Sequence, residues 1–371
     1  MEIEKNEENE ENSVKSLNVS SITKKNDITI YHLDKLISDE KMKLLEDTPV
    51  KRSDIKYIIT HDADVYDKYG NLLAIFRKKK LPENKIKPFF DGVIDFAMTP
   101  TSNRKISSGA YAKGLEKKIN IYTNIVGYFD KFSPRQKFVL KQKGIPLGLQ
   151  VRETRFNQEM PEVFDKDLLP LIQEIDKYYK KYVPDKYKLQ KKKAEQTPFH
   201  IKGTSFTTVT VNINFKTTLH KDKGDDIEGF GNLVVIEDGK YEGGQTCFPQ
   251  FGVGIDVRQG DILFMNVHEF HGNLPIIPID KDARRMAIVS YLRHDIWKNT
   301  KGMTRKKMQD HLNKLRNAIG KSKKTKEKSS TRKYGKNKDN KTKKTKKNRN
   351  SKYFNNIMKI KINRYYKWQI I

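Results

Sequence analysis

Two stretches of the chain carry residues able to grip a metal ion. The first, FKTTLHKDKGDD from Phe215 to Asp226, sets His220 and Asp222 two apart at the end of a β-rich run. Alternate residues of a strand point to one face. If the strand persists, an imidazole and a carboxylate aim at one point. That pair alone is weak evidence, since H-x-D arises by chance. The second stretch, GDILFMNVHEFHGNLP, brings His268 and His271 after a Gly-Asp turn and an apolar run. A further strand-like run, RRMAIVSYL, opens with Arg284 and Arg285.

Two histidines and one carboxylate on one face of an octahedral ion leave three positions open, the arrangement used by non-haem Fe(II) oxygenases. Those positions accept a 2-oxo acid and dioxygen. The far carboxylate of 2-oxoglutarate then needs a fixed cation, and the planar fork of arginine matches it bidentately. His271 sits where its strand breaks, whereas His268 lies along the wall, so His271 is the preferred third ligand after His220 and Asp222. Arg285 heads the alternation Arg285, Ala287, Val289, Tyr291 and Arg284 starts the opposite face, so Arg285 is the preferred anchor. Asn212 and Asn214 share the parity of His220 and could line the cofactor or base pocket; buried amides serving neighbouring backbone fit them equally well. Cys247 reads as a small buried residue. Gly224, Gly229 and Gly231 read as turn formers around the metal-bearing strand.

These side chains need a frame. From Phe199 onward FTTVTVNINFKTTLH, GNLVVIED, GQTCFPQFGVGIDVR, DILFMNVHEFHGN and RRMAIVSYLR alternate with period two between Gly and Asp turns. Several short strands so spaced predict a barrel or sandwich. Upstream, DADVYDKYGNLLAIFRK reads as a hairpin about Tyr69-Gly70-Asn71. Leu168, Leu171, Ile172, Ile175, Tyr178 and Tyr179 recur at helical spacing, predicting an amphipathic helix. Ser38 suits the cap of a short helix, LQKKKAEQ reads as an exposed basic link, and TRKKMQDHLNKLRNAIG as a short helix.

The net charge is +29 over 371 residues. Between Lys301 and Lys352 stand 22 Lys and Arg against 3 Asp and Glu, so this segment carries +19 of that charge. A basic body with a very basic tail implies a polyanionic partner, most simply nucleic acid. The single cysteine forms no intramolecular disulfide, implies no disulfide-linked partner and fits a reducing compartment. The acidic start has no apolar core, so a secretory signal is not expected, and no apolar run spans a membrane. The expected division is a disordered acidic segment over 1–25, one domain over 26–298 with its β-core at about 199–296, a Lys-rich low-complexity tail over 299–352, and an aromatic, basic segment over 353–371.

Phe206 to Tyr291, with DVYDKYGNLLAIFRKKKLP, MTPTSNR and RETRFNQEMPE upstream, resembles the ten-eleven-translocation/J-binding-protein dioxygenases. The resemblance implies an α+β fold whose double-stranded β-helix (jelly-roll, cupin-like) core carries flanking helices. It implies Fe(II) held by His220, Asp222 and His271, with 2-oxoglutarate on Arg285 and dioxygen as co-substrate. It implies hydroxylation of the C5-methyl group of thymine or 5-methylcytosine in DNA, hence an intracellular protein in the nucleus or at sites of DNA replication. Arg152 or Arg155 would assist the cofactor or substrate, and Arg104 in TSNRK, with Asn103 and Lys105, would meet the nucleic acid. One departure is Ala287, where some relatives carry a small hydroxyl residue. The competing expectations are the same iron chemistry on a protein or other substrate, and a nucleic-acid-binding module with a vestigial centre.

Overall fold

A computed structural model describes residues 19–101 and 120–332, with side chains described up to residue 319. They fall into a body ending at Asn317 and a second unit starting at Ala318. In chain order the strands are β1 (Val19–Lys25), β2 (Ile28–Leu33), β3 (Tyr57–Ile59), β4 (Ala63–Asp67), β5 (Leu72–Arg77), β6 (Thr123–Phe129), β7 (Arg152–Glu153), β8 (Thr208–Ile213), β9 (Gly231–Asp238), β10 (Tyr241–Gly243), β11 (Thr246–Phe248), β12 (Val253–Ile255), β13 (Ile262–Met265), β14 (Gly272–Asn273), β15 (Ile276–Pro278) and β16 (Arg284–Tyr291).

Ten strands form one sheet in the order β1-β2-β4-β5-β13-β9-β16-β8-β6-β7, and four form another, β14-β11-β12-β3. The alternation predicted from sequence decides which face of the large sheet meets what. Leu233 and Val235 of β9, Leu263 and Met265 of β13 and Ala287 of β16 pack against Phe248, Val253 and Ile255 of the small sheet. The two sheets thus close a double-stranded β-helix over a shared apolar core. The opposite parity, Val209, Val211 and Ile213 of β8 with Met286 and Ile288 of β16, packs outward on helices.

The helical layer comprises α2 (Glu83–Ala97), α3 (Leu169–Tyr182) and α4 (Pro184–Glu195), preceded by the short α1 (Asp39–Leu44). Leu171, Ile172, Ile175 and Tyr179 of α3 are fully buried, as the helical spacing predicts. Burying one such side chain stabilises by roughly 1.5–3 kcal/mol. Tyr179 does more: its hydroxyl accepts from the Phe230 amide at 2.9 Å, tying the layer to the start of β9. Ser38 caps α1 by accepting from the Lys41 amide at 3.3 Å. The β4–β5 hairpin turns at the expected residues, held by Asp67, whose carboxylate accepts from the amides of Tyr69 and Asn71.

Several expected boundaries move. The segment expected to be disordered over 1–25 contributes a strand: Val19–Lys25 pairs antiparallel with β2. The β-core is wider than 199–296, because β3 joins the small sheet and β5 and β6 join the large one. The basic link LQKKKAEQ is the end of α4, with Gln190 and Ala194 buried among its lysines. After α5 (His294–Thr300) comes one long helix, α6 (Arg305–Arg332). Its first turns belong to the body: Leu312 packs with Val151, Phe199 and Ile296, so order runs past residue 299. Residues 1–18 and 333–371, including the aromatic 353–371 segment, lie outside the described residues. No helix among those described is long and apolar enough to cross a membrane.

Candidate metal centre

Asn214, with φ of 46°, turns the chain out of β8, a conformation asparagine tolerates. The strand therefore does not persist to His220, and parity cannot be counted across the break. A different device aligns the site. His220 and His271 exchange both backbone hydrogen bonds, each amide donating to the other's carbonyl at 2.9 Å. An antiparallel pair of this kind puts both side chains on one side, and the imidazole centroids lie 4.4 Å apart. The Asp222 amide donates to the Val267 carbonyl at 2.9 Å, which ties the carboxylate-bearing residue to the same downstream segment.

The result is a three-residue donor set. Ligand atoms of His220, Asp222 and His271 all lie within 4.8 Å of one another. His220 Nε2 stands 3.5 Å from Asp222 Oδ1, and His271 Nε2 stands 3.7 Å from Oδ2. Donors about 2.1 Å from an octahedral ion and at right angles stand about 3 Å apart, so these spacings need little adjustment. The tautomers are fixed as well. His220 Nδ1 meets the Thr218 carbonyl at 2.8 Å and His271 Nδ1 meets the Glu269 carbonyl at 2.9 Å. A carbonyl only accepts, so each Nδ1 carries a proton and each Nε2 is turned toward the carboxylate, the edge a metal would use. Two imidazole nitrogens and a carboxylate converging at this spacing are a donor set that fits a divalent metal. His268 stands apart, its Nε2 at 3.2 Å from the Asp226 carbonyl.

Arg285 is buried at 4% exposure, while Arg284 beside it is half-buried and pairs with Asp238 at 3.2 Å. Among the described residues no carboxylate forms an ion pair with Arg285; its side chain bonds the Tyr241 phenol. That phenol donates in turn to Glu237 Oε1 at 2.6 Å. Burial pulls the Arg285 guanidinium below its ordinary range, opposed by Tyr241, and pushes the Tyr241 hydroxyl up to about 12. Glu237, the cross-strand partner of Arg285, reaches it only through Tyr241, so the guanidinium has no direct ion pair among the described residues and suits an anionic ligand. Gly244, at φ +77°, lies against this side chain: a Cβ there would fall 2.9 Å from Arg285 Cδ and Nε.

The other expected residues divide. Asn214 Oδ1 accepts from the Arg285 amide at 2.7 Å and its Nδ2 donates to the Ala283 carbonyl at 2.8 Å. It clamps the start of β16 instead of lining a pocket. Asn212 lies inside the barrel, opposite in parity to the helix-facing Val211 and Ile213. Arg152 Nε donates to the Lys131 carbonyl at 2.8 Å, and Arg155 is exposed on Glu159, so neither is brought to the donor set. Arg104, Asn103 and Lys105 lie outside the described residues. Cys247 is wholly buried, with its thiol pushed up to about 12 by burial.

Sequence reasoning missed Arg293. Its guanidinium pairs with Asp130 at 2.9 Å and Asp225 at 3.5 Å, and it lies over the Phe129 ring. The Asp225 amide reaches back to the Asp222 carbonyl at 3.4 Å, so Arg293 fixes the loop that follows the candidate carboxylate ligand. Gly224 sits in the turn between Asp222 and Asp225, as expected, and also leaves room for Arg293, since a Cβ there would lie 1.9 Å from Arg293 Nη1. The glycine beside H-x-D was the only hint in the sequence.

Residues 140–294, which contain His220, Asp222, His271, Arg285 and Arg293, match the family model Tet_JBP, the oxygenase domain of the 2OGFeDO superfamily. That segment is similar to the oxygenase domains of the Tet/JBP family. Among Tet/JBP relatives, the bifunctional helicase and thymine dioxygenase JBP2 of Leishmania tarentolae is 30% identical over 261 residues, covering 70% of this chain and 21% of that protein. Thymine dioxygenase JBP1-A of Trypanosoma cruzi (strain CL Brener) is 33% identical over 240 residues, covering 63% of this chain and 26% of that protein. The aligned region thus spans about a quarter or less of either relative. NgTET1 in complex with 5mC DNA aligns at a TM-score of 0.46 and 13% identity, over 81% of this chain and 98% of that one.

Proposed function

We propose that this protein is an Fe(II)- and 2-oxoglutarate-dependent dioxygenase that hydroxylates the C5-methyl group of a pyrimidine in DNA. The observation that carries the chemistry is the convergence of His220, Asp222 and His271; Arg285, buried and with no direct ion pair among the described residues, is the candidate anchor. The two Nε2 lone pairs and one carboxylate oxygen would hold the iron, and Arg285 the far carboxylate of the keto acid. With the keto acid and dioxygen, iron supplies an oxidant able to insert oxygen into a C–H bond.

The chain's own residues do the rest. Thr218 and Glu269 carbonyls hold the histidine protons away from the metal side. Arg293 and Gly224 hold the loop after Asp222. The apolar barrel walls exclude water, which keeps the oxidant on target. The DNA reading rests on thymine dioxygenase relatives and on the basic balance of the chain. A base must leave the stack to reach such a centre, at a few kcal/mol, and lysine and arginine contacts to phosphates would offset this. The presence of the protein where DNA is replicated or stored follows from the same reading. The test is incubation with Fe(II), 2-oxoglutarate and duplexes containing thymine or 5-methylcytosine, then mass spectrometry of the nucleosides. A base heavier by one oxygen supports the proposal; succinate formed without any base product refutes it.

A further inference from the structure

The departure at Ala287 leaves a question on the barrel's inner face. Ala287 is paired directly with Asn212 of β8, and Arg285 lies one inward position along β16. Inward parity is secured by the neighbours, since Met286, Ile288, Val211 and Ile213 all lie in the outer, helix-facing core. Directly opposed side chains have Cβ atoms about 4.5–5.5 Å apart, and diagonal ones about 7–8 Å. Asn212 therefore reaches the place a hydroxyl at 287 would occupy, within range of Arg285.

Asn212 is only 6% exposed, and its Oδ1 is enclosed with no hydrogen-bond partner among the described residues. Nor does its Nδ2 donate to any described residue. A buried amide left this way is unfavourable unless a ligand completes it. Rotating the amide exchanges its oxygen and nitrogen edges within the same space, so an N–H can be offered to an anion. We infer that Asn212 donates a hydrogen bond to the far carboxylate of the dicarboxylic keto acid, in place of the hydroxyl missing at Ala287. This rests on the proposed function, because it presupposes that acid on Arg285.

The test is calorimetric binding of N-oxalylglycine, a non-reactive analogue, to Mn(II)-loaded full-length protein. Asn212→Ala weakens N-oxalylglycine about tenfold or more, as loss of a hydrogen bond to a charged group does. Its affinity for oxamate, which lacks the far carboxylate, stays within twofold of the parent. Without ligand its Tm is unchanged or higher, because an unpartnered buried amide has gone; a purely structural amide would lower it. Ala287→Ser restores most of the loss in Asn212→Ala. Equal binding by Asn212→Ala and the parent, or equal loss for both ligands, overturns the inference, as does Ala287→Ser without effect in Asn212→Ala. If the parent protein itself binds no N-oxalylglycine with Mn(II), the proposed function fails, and that outcome is distinct from the others.

Discussion

Gly244→Ala separates the backbone's role from the anchor's. Gly244 has φ +77°, and an added Cβ would meet Arg285 Cδ and Nε at 2.9 Å and Ile276 Cγ1 at 3.2 Å. The left-handed backbone alone costs about 1–2 kcal/mol for an alanine. Each kcal/mol lowers Tm by about 2–4 °C in a domain of this size. The contact adds a second effect, since a Cβ that close forces the guanidinium aside. A charged hydrogen bond lost at Arg285 is worth about 1.5–3 kcal/mol, so keto-acid affinity falls at least tenfold. Gly70→Ala is the control: it has φ +83° and nothing within 4 Å of its added Cβ. It suffers the backbone penalty alone. Calorimetry with N-oxalylglycine and Mn(II), beside thermal melts, gives both numbers for each variant. The reasoning fails if Gly244→Ala binds the keto acid like the parent, or if Gly70→Ala loses as much affinity.

Asp222→Ala lowers Fe(II) affinity at least a hundredfold by equilibrium dialysis. Bulk DNA affinity in that variant stays within about twofold of the parent in fluorescence anisotropy. Cys247 is fully buried with its thiol pushed up to about 12, so mass spectrometry finds it unmodified by iodoacetamide at pH 8 until the protein is denatured. Ending the chain at Asn317 removes most of the basic tail, leaves Tm of the body within about 2 °C, and flattens the salt dependence of DNA binding. Ending it at Lys301 also strips Leu312 from Val151, Phe199 and Ile296 and lowers Tm by several degrees.

The strands were legible as short runs of apolar and β-branched residues between Gly and Asp turns; β8, β9 and β16, buried on both faces, lie where those runs put them. The choice of Arg285 over Arg284 followed from strand parity. What failed was extrapolation past a break. Asn214 leaves the strand at φ 46°, and the alignment of His220 with His271 comes from a backbone pair about fifty residues apart in sequence, which local pattern cannot reveal. The use of Asn214 as a clamp on Arg285 and the hold of Arg293 on the Asp222 loop are likewise long-range. The basic run in α4 misled because lysines dominate its composition, while Gln190 and Ala194 carry its packing.

Crystals grown with Mn(II) and N-oxalylglycine give the most direct view of the proposed centre through anomalous diffraction. The account predicts one metal peak within bonding distance of His220 Nε2, His271 Nε2 and an Asp222 oxygen, with the analogue's far carboxylate on Arg285. A metal bound elsewhere, or an analogue whose far carboxylate does not meet Arg285, contradicts it.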